Sequence, residues 1–439
     1  MRKVLTIAYD FPPRRTPGIY RPTGLTKYLS RFGWLPTILT IKGKEGDVED
    51  PGLLARVPPQ VRVSRVRFLD VTAWERKPHA AVRKLGALHS PAARKRPTIL
   101  DRFLRSMAAF VRSCLYFPDE AIGWVPFGLR EALRLHRAEK FDVVYTTTPP
   151  RSTALIGFFL KLFTGVRWLA EFRDPWYPSD RPLRRRLERW LHALILRKAD
   201  TVLAVTDGYA EELRRTYVVP SRKVAVVTNG FDEADFEVGL NGDRDFFPKG
   251  YIHLTHLGTI YPHFGGRFFP ALRELVREFP DVKQRLRVNI TGYPDEETLR
   301  YAREEDLRDI VTIRSFVNHT DALLAMRSSA CLLLFYGNPY ISRVCVPGKI
   351  YEYLRVGRPI FALSVEGGLK QIIEEGNAGW VVHPADTEGI KKALMSLLGL
   401  GGVDPCFPRP TPEFVGQFRY DRLAEKLADV LNATLSHGA

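Results

Sequence analysis

The feature that most restricts the fold is a rhythm. Short β-rich runs alternate with longer helical patterns, the alternation stops, and then it starts again. The runs 4–9, 35–41, 61–66, 143–147, 168–171, 201–205 and 223–227 read as strands, with helical patterns at 23–32, 127–137, 152–163, 183–197 and 209–217 between them. After a Gly- and Asp-rich stretch the strands resume at 251–257, 286–291, 311–314, 330–334, 359–363 and 380–382. Helices are expected there at 268–278, 296–304, 320–326, 349–355, 369–375 and 388–398, with a last one at 420–435. Strands separated by helices must cross over to run parallel, which buries both sheet faces under helices. The fold class this implies is α/β: two doubly wound Rossmann-like domains facing across a cleft. The boundaries drawn are 1–228, a linker at 229–248, 249–412, and a helical tail at 413–439 that returns to the first domain. Open parallel sheets bind ligands at the carboxyl ends of their strands.

A chain of 439 residues is too long for one ordinary core. No run of about 18 uncharged apolar residues is present, which argues against a membrane-spanning helix. The apolar run near the N-terminus covers only 4–9 before Asp10 and two prolines, a buried first strand rather than a signal peptide. The four cysteines Cys114, Cys331, Cys345 and Cys406 show no paired or metal-type spacing and suit a reducing cytosol.

The net charge is +17, from 66 Lys+Arg against 49 Asp+Glu, and calls for anionic partners. Between Glu75 and Arg112 there are ten Lys/Arg and two acids, and residues 99–114 place apolar side chains at helical spacing among Arg102, Arg105 and Arg112. The stretch 181–198 mixes Arg184, Arg185, Arg186 and Arg189 with Trp190, Leu191, Leu194 and Ile195. Basic amphipathic helices of this kind lie on anionic lipid headgroups, so an anionic membrane surface is a candidate partner. They are equally helices with one face in their own core and a solvated basic face, and the two readings coexist. No nucleic-acid recognition motif accompanies the charge, so no nucleic-acid partner is expected.

The stretch VPGKIYEYLRVGRPIFAL, residues 346–363, announces a helix with Pro347 and Gly348 and stops it at Gly357. Unpaired amides at the start of such a helix attract anions, and Lys349 adds a full charge there. Glu352 lies on the same face and can accept from a pair of hydroxyls such as a ribose diol. The same spacing also describes a surface Lys–Glu pair.

These residues resemble the nucleotide-sugar motif of family-four glycosyltransferases of the GT-B fold. Further stretches fit in the same order: FPPRRTPGIYRPTGLTKYLSRFGWLPTILT (11–40), PDEAIGW (118–124), EFRDPW (171–176), ADTVLAVTDGYAEEL (199–213), VTNGFD (227–232) and HLGTIYPHFGGRFFPALREL (256–275). The resemblance implies transfer of a sugar from a nucleotide diphosphate to an acceptor hydroxyl, with retention, and the basic helical patterns near 99–115 and 183–197 fit a membrane-presented acceptor, as in cell-envelope polysaccharide or glycolipid synthesis. The acceptor would be a saccharide or lipid-linked saccharide, and the enzyme cytoplasmic or peripheral on the inner face of the membrane. It also implies roles residue by residue. Glu352 would bind the ribose, while Lys349, Gly348 and the loop Gly258–Thr259 would face the diphosphate. Ser315 and Phe316 would pass the base, and Gly18 and Arg21 after strand one would approach phosphate or acceptor. For Gly18 a simple turn is the other reading. Arg267 is a further candidate phosphate contact. No cofactor and no metal are required if fixed cations and dipoles stabilise the leaving diphosphate.

The sequence departs from the family in two places. Many members carry a second Glu eight positions before Glu352, where Val344 stands here. Many also place a His in the first domain, and His79, His89, His136 and His192 do not follow a strand end. Asp174 does, after 168–171, and is the candidate to orient or deprotonate the acceptor, with Arg173 beside it. Arg173–Asp174 is otherwise a pair that pins the loop. Three motifs are set aside. Asp243-Arg244-Asp245 lies in the linker, Gly348-Lys349 lacks the first Gly and the Ser/Thr of a P-loop, and His253/His256 have no third ligand. The alternatives that remain are a sugar-nucleotide epimerase on the same fold and a non-catalytic sugar-nucleotide-binding protein.

Overall fold

The computed structural model describes residues 1–43, 47–69, 116–176, 179–239, 245–402 and 407–436. The basic helical pattern at 99–114, His79, His89, Cys114, Cys406 and the pair Asp243-Arg244 fall outside them. Two compact units are formed. One takes Met1–Leu203, Tyr217–Ala225 and Leu427–Ala439, and the other takes Ala204–Thr216 and Val226–Lys426.

The first unit is built on seven strands: β1 (Arg2–Ala8), β2 (Trp34–Ile41), β3 (Arg62–Val66), β4 (Val143–Thr148), β5 (Arg167–Phe172), β6 (Thr201–Ala204) and β7 (Val224–Val226), in the order β3-β2-β1-β4-β5-β6-β7. β1 pairs in parallel with both β2 and β4, Thr6 lying opposite Ile38 on one side and Tyr145 on the other. β1 is buried from Val4 to Ala8, and β4 throughout. Such strands read as continuous apolar runs rather than alternations because helices cover both faces. One cover, the helix Ser152–Thr164, is started from a distance. The Asp119 carboxylate accepts from the Ser152 amide at 3.0 Å and its hydroxyl at 2.6 Å.

The second unit repeats the plan with six strands, all parallel: β8 (Ile252–Leu257), β9 (Leu286–Thr291), β10 (Val311–Arg314), β11 (Cys331–Tyr336), β12 (Ile360–Ser364) and β13 (Gly379–Val382). Their order, β10-β9-β8-β11-β12-β13, reverses direction between β8 and β11. In the first sheet the reversal falls between β1 and β4. A reversal leaves a crevice at the carboxyl ends, because neighbouring crossovers leave to opposite faces. The fold is therefore the doubly wound α/β plan in both units.

The helix Lys349–Val356 buries Ile350, Tyr351, Tyr353 and Leu354 and ends where Gly357 takes a left-handed φ of 70°. That conformation suits glycine, which has no Cβ to clash. The Gly357 amide then returns to the Leu354 and Tyr353 carbonyls and delivers the chain into β12.

One expectation is corrected. The stretch read as a linker at 229–248 carries the helix Glu233–Gly239, and Phe231, Phe236 and Phe247 are buried in the second unit's core. The rings of Phe231 and Phe236 meet edge-on at 5.6 Å, and Arg355 holds Glu233 in an ion pair. The aromatic residues lie five and eleven apart, neither a strand nor a helix period, so no periodicity revealed them. Phe236→Ala should lower unfolding stability by about 3–5 kcal/mol, as for a core aromatic, read as a shift in the urea midpoint. A true linker residue would change it by no more than about 0.5 kcal/mol.

Candidate functional site

In the second unit the carboxyl ends of β8, β9 and β10 and the starts of two helices converge. Lys349, first residue of its helix, sends its ammonium back to the Leu257 carbonyl at the end of β8, 2.5 Å away. Gly258 follows with φ of 113°, and a Cβ there would meet the Lys349 amine at 2.7 Å. The conformation therefore favours glycine, and a side chain would also have to displace the lysine amine. Gly292, just past β9, has φ of 137°, and a Cβ on it would sit 2.3 Å from the Gly258 carbonyl oxygen. Backbone bonds lock the three strand ends together: Gly258 amide to Thr291 carbonyl at 2.8 Å, Ile260 to Tyr293 at 2.9 Å, and Gly292 to Arg314 at 2.9 Å.

The Lys349 ammonium is pushed down to about 8, because it is packed among protein atoms that replace water. No carboxylate partners it among the described residues. It has three N–H donors, and Leu257 uses one. No hydrogen bond leads from the Gly348 or Lys349 amide to another described residue, as expected for the first positions of a helix. Gly348 itself is exposed, and a Cβ there would meet nothing. Its glycine is not required by packing.

Glu352, one turn into the helix, is half-buried, and its Oε1 accepts from His319 Nε2 at 2.8 Å. A carboxylate only accepts, so His319 carries its proton on Nε2. His319 opens the helix His319–Arg327, whose first turn is capped by the Asn318 side chain accepting from the Asp321 amide at 2.8 Å. After β10, Ser315 and Phe316 are exposed, and the Phe316 ring lies 4.7 Å from that of Tyr293 after β9. Thr259 is half-buried beside Gly258, and Arg267 is exposed before the helix Phe268–Glu278. Six of the expected residues thus gather at one sheet edge: Gly258, Thr259, Ser315, Phe316, Lys349 and Glu352.

Sequence reading missed His319, Gly292 and Tyr293. Gly292 had a signal, a glycine directly after a strand. His319 had none, since its partner lies 33 positions away. Of the motifs set aside, His253 and His256 are both buried, with His253 Nε2 on the Pro248 carbonyl and His256 Nδ1 on that of Leu333. Asp245 pairs with Lys249 at 3.1 Å.

In the first unit the expected residues take different roles. Arg21 was read as a grip for a phosphate or acceptor anion. Its anion is internal: Nε and Nη2 donate to Glu171 Oε1 at 2.9 and 2.6 Å, with both side chains buried. Thr147 Oγ1 donates to Glu171 Oε2 at 2.5 Å. Burial alone would raise the Glu171 pKa, but Arg21 and the hydrogen bonds outweigh it and hold the carboxyl below its ordinary value. Arg173 is likewise spent. It donates to the carbonyls of Thr148, Gly18 and Pro149 at 3.0, 2.8 and 3.1 Å, so it pins the loop. Gly18 sits where a Cβ would meet the Asp10 carboxylate at 2.7 Å. Asp174 remains at the surface and makes no hydrogen bond to another described residue. Its pKa is raised by crowding protein, with the Arg173 charge opposing. His192 is buried among Trp176, Phe172 and Tyr217 and pushed down to about 3 by desolvation, hence neutral. His136 is likewise lowered by burial.

Two open parallel sheets of this order, each with its strand ends gathered at a reversal, define the GT-B class. The comparisons agree. Residues 21–230 match the glycosyl transferase 4-like domain and residues 263–399 the glycosyl transferases group 1. The chain belongs to the family-four-like glycosyltransferases of the GT-B fold. Among curated relatives, alpha-D-kanosaminyltransferase of Streptomyces kanamyceticus is 26% identical over 69% of this chain and 77% of its own length. D-inositol 3-phosphate glycosyltransferase of Streptomyces coelicolor is 24% identical over 55% of this chain, and only 57% of its length is matched. Among solved structures, sucrose-phosphate synthase of Thermosynechococcus elongatus superposes with a TM-score of 0.63 at 15% identity, covering 98% of both chains. HepE of Anabaena, in complex with UDP-glucose, gives 0.55 at 11% identity over 99% of this chain and 98% of its own. Among the described residues no helix is long and apolar enough to cross a membrane.

Arg21→Ala leaves a buried carboxylate unpaired and should cost about 3–5 kcal/mol of stability, measured by denaturant unfolding. Stability within about 0.5 kcal/mol of the parent, together with lost acceptor use, would return Arg21 to the role read from sequence.

Proposed function

We propose that the chain transfers a sugar from a nucleotide diphosphate to an acceptor hydroxyl, with retention, in the assembly of a cell-envelope polysaccharide or glycolipid. The observation that carries the reading is Lys349, a crowded cation without a carboxylate partner among the described residues, held at the strand ends beside a glycine whose positive φ disfavours any side chain. HepE, which shares the fold, binds UDP-glucose, and this supports a nucleotide sugar as donor here. In this reading the diphosphate rests on Lys349 and the first-turn amides near Gly348, while Gly258 and Thr259 border it. The ribose hydroxyls donate to Glu352, whose orientation His319 holds. The base lies against Ser315 and Phe316, with the Tyr293 ring extending that surface. Placement and electrostatic support of the leaving diphosphate do the chemical work, and a metal is not required.

The acceptor, a saccharide or lipid-linked saccharide, belongs to the first unit. Asp174 is its positioning carboxylate, since it is exposed and makes no hydrogen bond to another described residue. Arg173 and Gly18 shape the loop around it through the hydrogen bond between them. Arg21 supports the edge through Glu171. The enzyme works in the cytoplasm on the inner face of the membrane, consistent with its cationic surplus.

Glu352→Ala removes an acceptor from a sheltered diol and should weaken nucleotide-sugar binding by about 10- to 100-fold, corresponding to about 1.5–3 kcal/mol. Isothermal titration against a panel of nucleotide sugars measures it, and unchanged affinity for the donor found would sink the ribose assignment. Asp174→Asn should lower kcat while leaving that affinity intact. Equal loss of both would make Asp174 structural.

Lys349 predicts a pH dependence. With its ammonium near 8 in the free protein, a bound diphosphate raises that value, so binding takes up a proton above pH 8. Affinity for UDP should be flat from neutrality to about pH 8 and then fall, approaching tenfold per pH unit. Lys349→Arg, which does not titrate, should remove the fall if it still binds. An identical fall in parent and Arg variant would assign it to another group.

A further inference from the structure

The helix Pro182–Lys198 of the first unit is apolar on two opposite faces. Leu191, Ile195 and Leu196 point inward and are buried. Leu183, Leu187 and Trp190, spaced four and three apart, form a second stripe that is 65%, 46% and 62% exposed. A surface helix ordinarily needs only one apolar face, and a second one of leucine and tryptophan left in water marks a partner. Cations border the stripe: Arg186, Arg189 and Arg197 lie along one side and Lys198 on the other, all exposed. None of the four has a carboxylate partner among the described residues. The helix's one acid, Glu188, is buried and held by Arg184 at 2.9 Å and Arg151 at 3.2 Å. The outward face therefore carries positive charge alone.

Beside the stripe opens a cavity of about 870 Å³, walled by Trp190, Leu194 and Arg197 together with Lys161, Val218 and Arg222. Val218 is 81% exposed and holds φ at 52°. A β-branched side chain in the left-handed region is strained, and here the strain presents an apolar group to water.

We propose that this face docks on an anionic lipid bilayer. Leu183, Leu187, Trp190 and Val218 enter the boundary between headgroups and acyl chains, while Arg186, Arg189, Arg197 and Arg222 meet lipid phosphates. Tryptophan prefers that boundary, and cations flanking an apolar stripe match a negatively charged interface over a neutral one. A protein partner would be expected to answer to acidic as well as basic groups, and among the described residues the helix's outward face offers no acid, while the cavity's Asp200 is already held by Lys161 and Arg167. The inference rests on the proposed work at the membrane's inner face, but the donor site plays no part in it and vesicle binding needs no nucleotide, so sugar transfer and bilayer docking can each fail alone.

The test is co-sedimentation of the full chain with vesicles of phosphatidylcholine, alone or mixed with phosphatidylglycerol. Binding is expected only with phosphatidylglycerol present, and it should weaken as salt rises. Leu187→Glu/Trp190→Glu and, separately, Arg186→Glu/Arg189→Glu should each reduce it more than about tenfold. All four sites are exposed, so thermal unfolding should stay as in the parent. Quenching of tryptophan fluorescence by bromine-labelled acyl chains, lost in Trp190→Phe, would place that ring in the bilayer. Parent-like vesicle binding by both double variants overturns the proposal. So does a parent dimer that Leu187→Glu/Trp190→Glu splits while vesicle binding persists, since the face would then join two copies of the chain.

Discussion

The second unit's edge depends on one contact, the Lys349 ammonium on the Leu257 carbonyl beside Gly258. A cation costs free energy when protein replaces its water, and the lowered pKa expresses that cost. The fold sustains the cost through rigid neighbours. Tyr353, four residues along the same helix, accepts from the Leu257 amide at 3.2 Å, so helix and strand end are joined through both backbone groups of one residue. Gly292 packs on Gly258 from the next strand, and neither tolerates a side chain. The charge is thus held in place before any anion arrives, which is the condition for electrostatic stabilisation without reorganisation.

The two sheets share a strand order yet treat their reversals oppositely. In the first, the charge at the edge is cancelled internally, because Arg21, Glu171 and Thr147 close a buried network. Arg173 is consumed by three carbonyls in the same region. What is left facing outward is Asp174, an acceptor of hydrogen bonds rather than a donor. In the second, the cation stays open and the carboxylate Glu352 is oriented by histidine. One edge suits a phosphate, and the other suits a hydroxyl. In the proposed reading that difference in chemistry, not in topology, lets one plan repeated twice serve two unlike ligands.

The thirteen strands of the described residues were legible in the sequence, within one or two residues at most ends; most are buried under helices and rich in apolar residues, whereas the edge strand Arg62–Val66 carries Arg62, Ser64 and Arg65 among its valines. The main helices were legible for the same reason, their apolar faces recurring at helical spacing. What escaped lacked a period. The short helices Glu233–Gly239 and Pro339–Val344 are a turn or two long, too short to show one. The site divides along the same line. Lys349, Glu352 and Gly258 stand in local motifs and could be singled out from the sequence. Glu171 and His319 act through partners 150 and 33 positions away, and no window of sequence holds such a pair. Arg21 and Arg173 show the converse error: an arginine near a strand end looks like a ligand contact until its hydrogen bonds are counted, and internal acceptors take them first.

The charge surplus gains a physical reading from where its partners are missing. Surface ion pairs such as Arg134–Glu131 and Arg277–Asp306 absorb many of the basic groups and add little stability. Cations stand without acids at several places among the described residues, and two of them carry the proposals: the strand edge at Lys349, and the outward face of Pro182–Lys198. The first is a single sheltered charge beside a glycine loop, which in the proposed reading selects a small anion by shape. The second is a row of exposed charges along an apolar stripe, which no small anion could satisfy and only an extended anionic surface can. Net charge alone would have treated them as one property. Burial and spacing separate them, because a crowded cation acts at contact distance whereas an exposed row acts through its summed field, within about 10 Å in physiological salt.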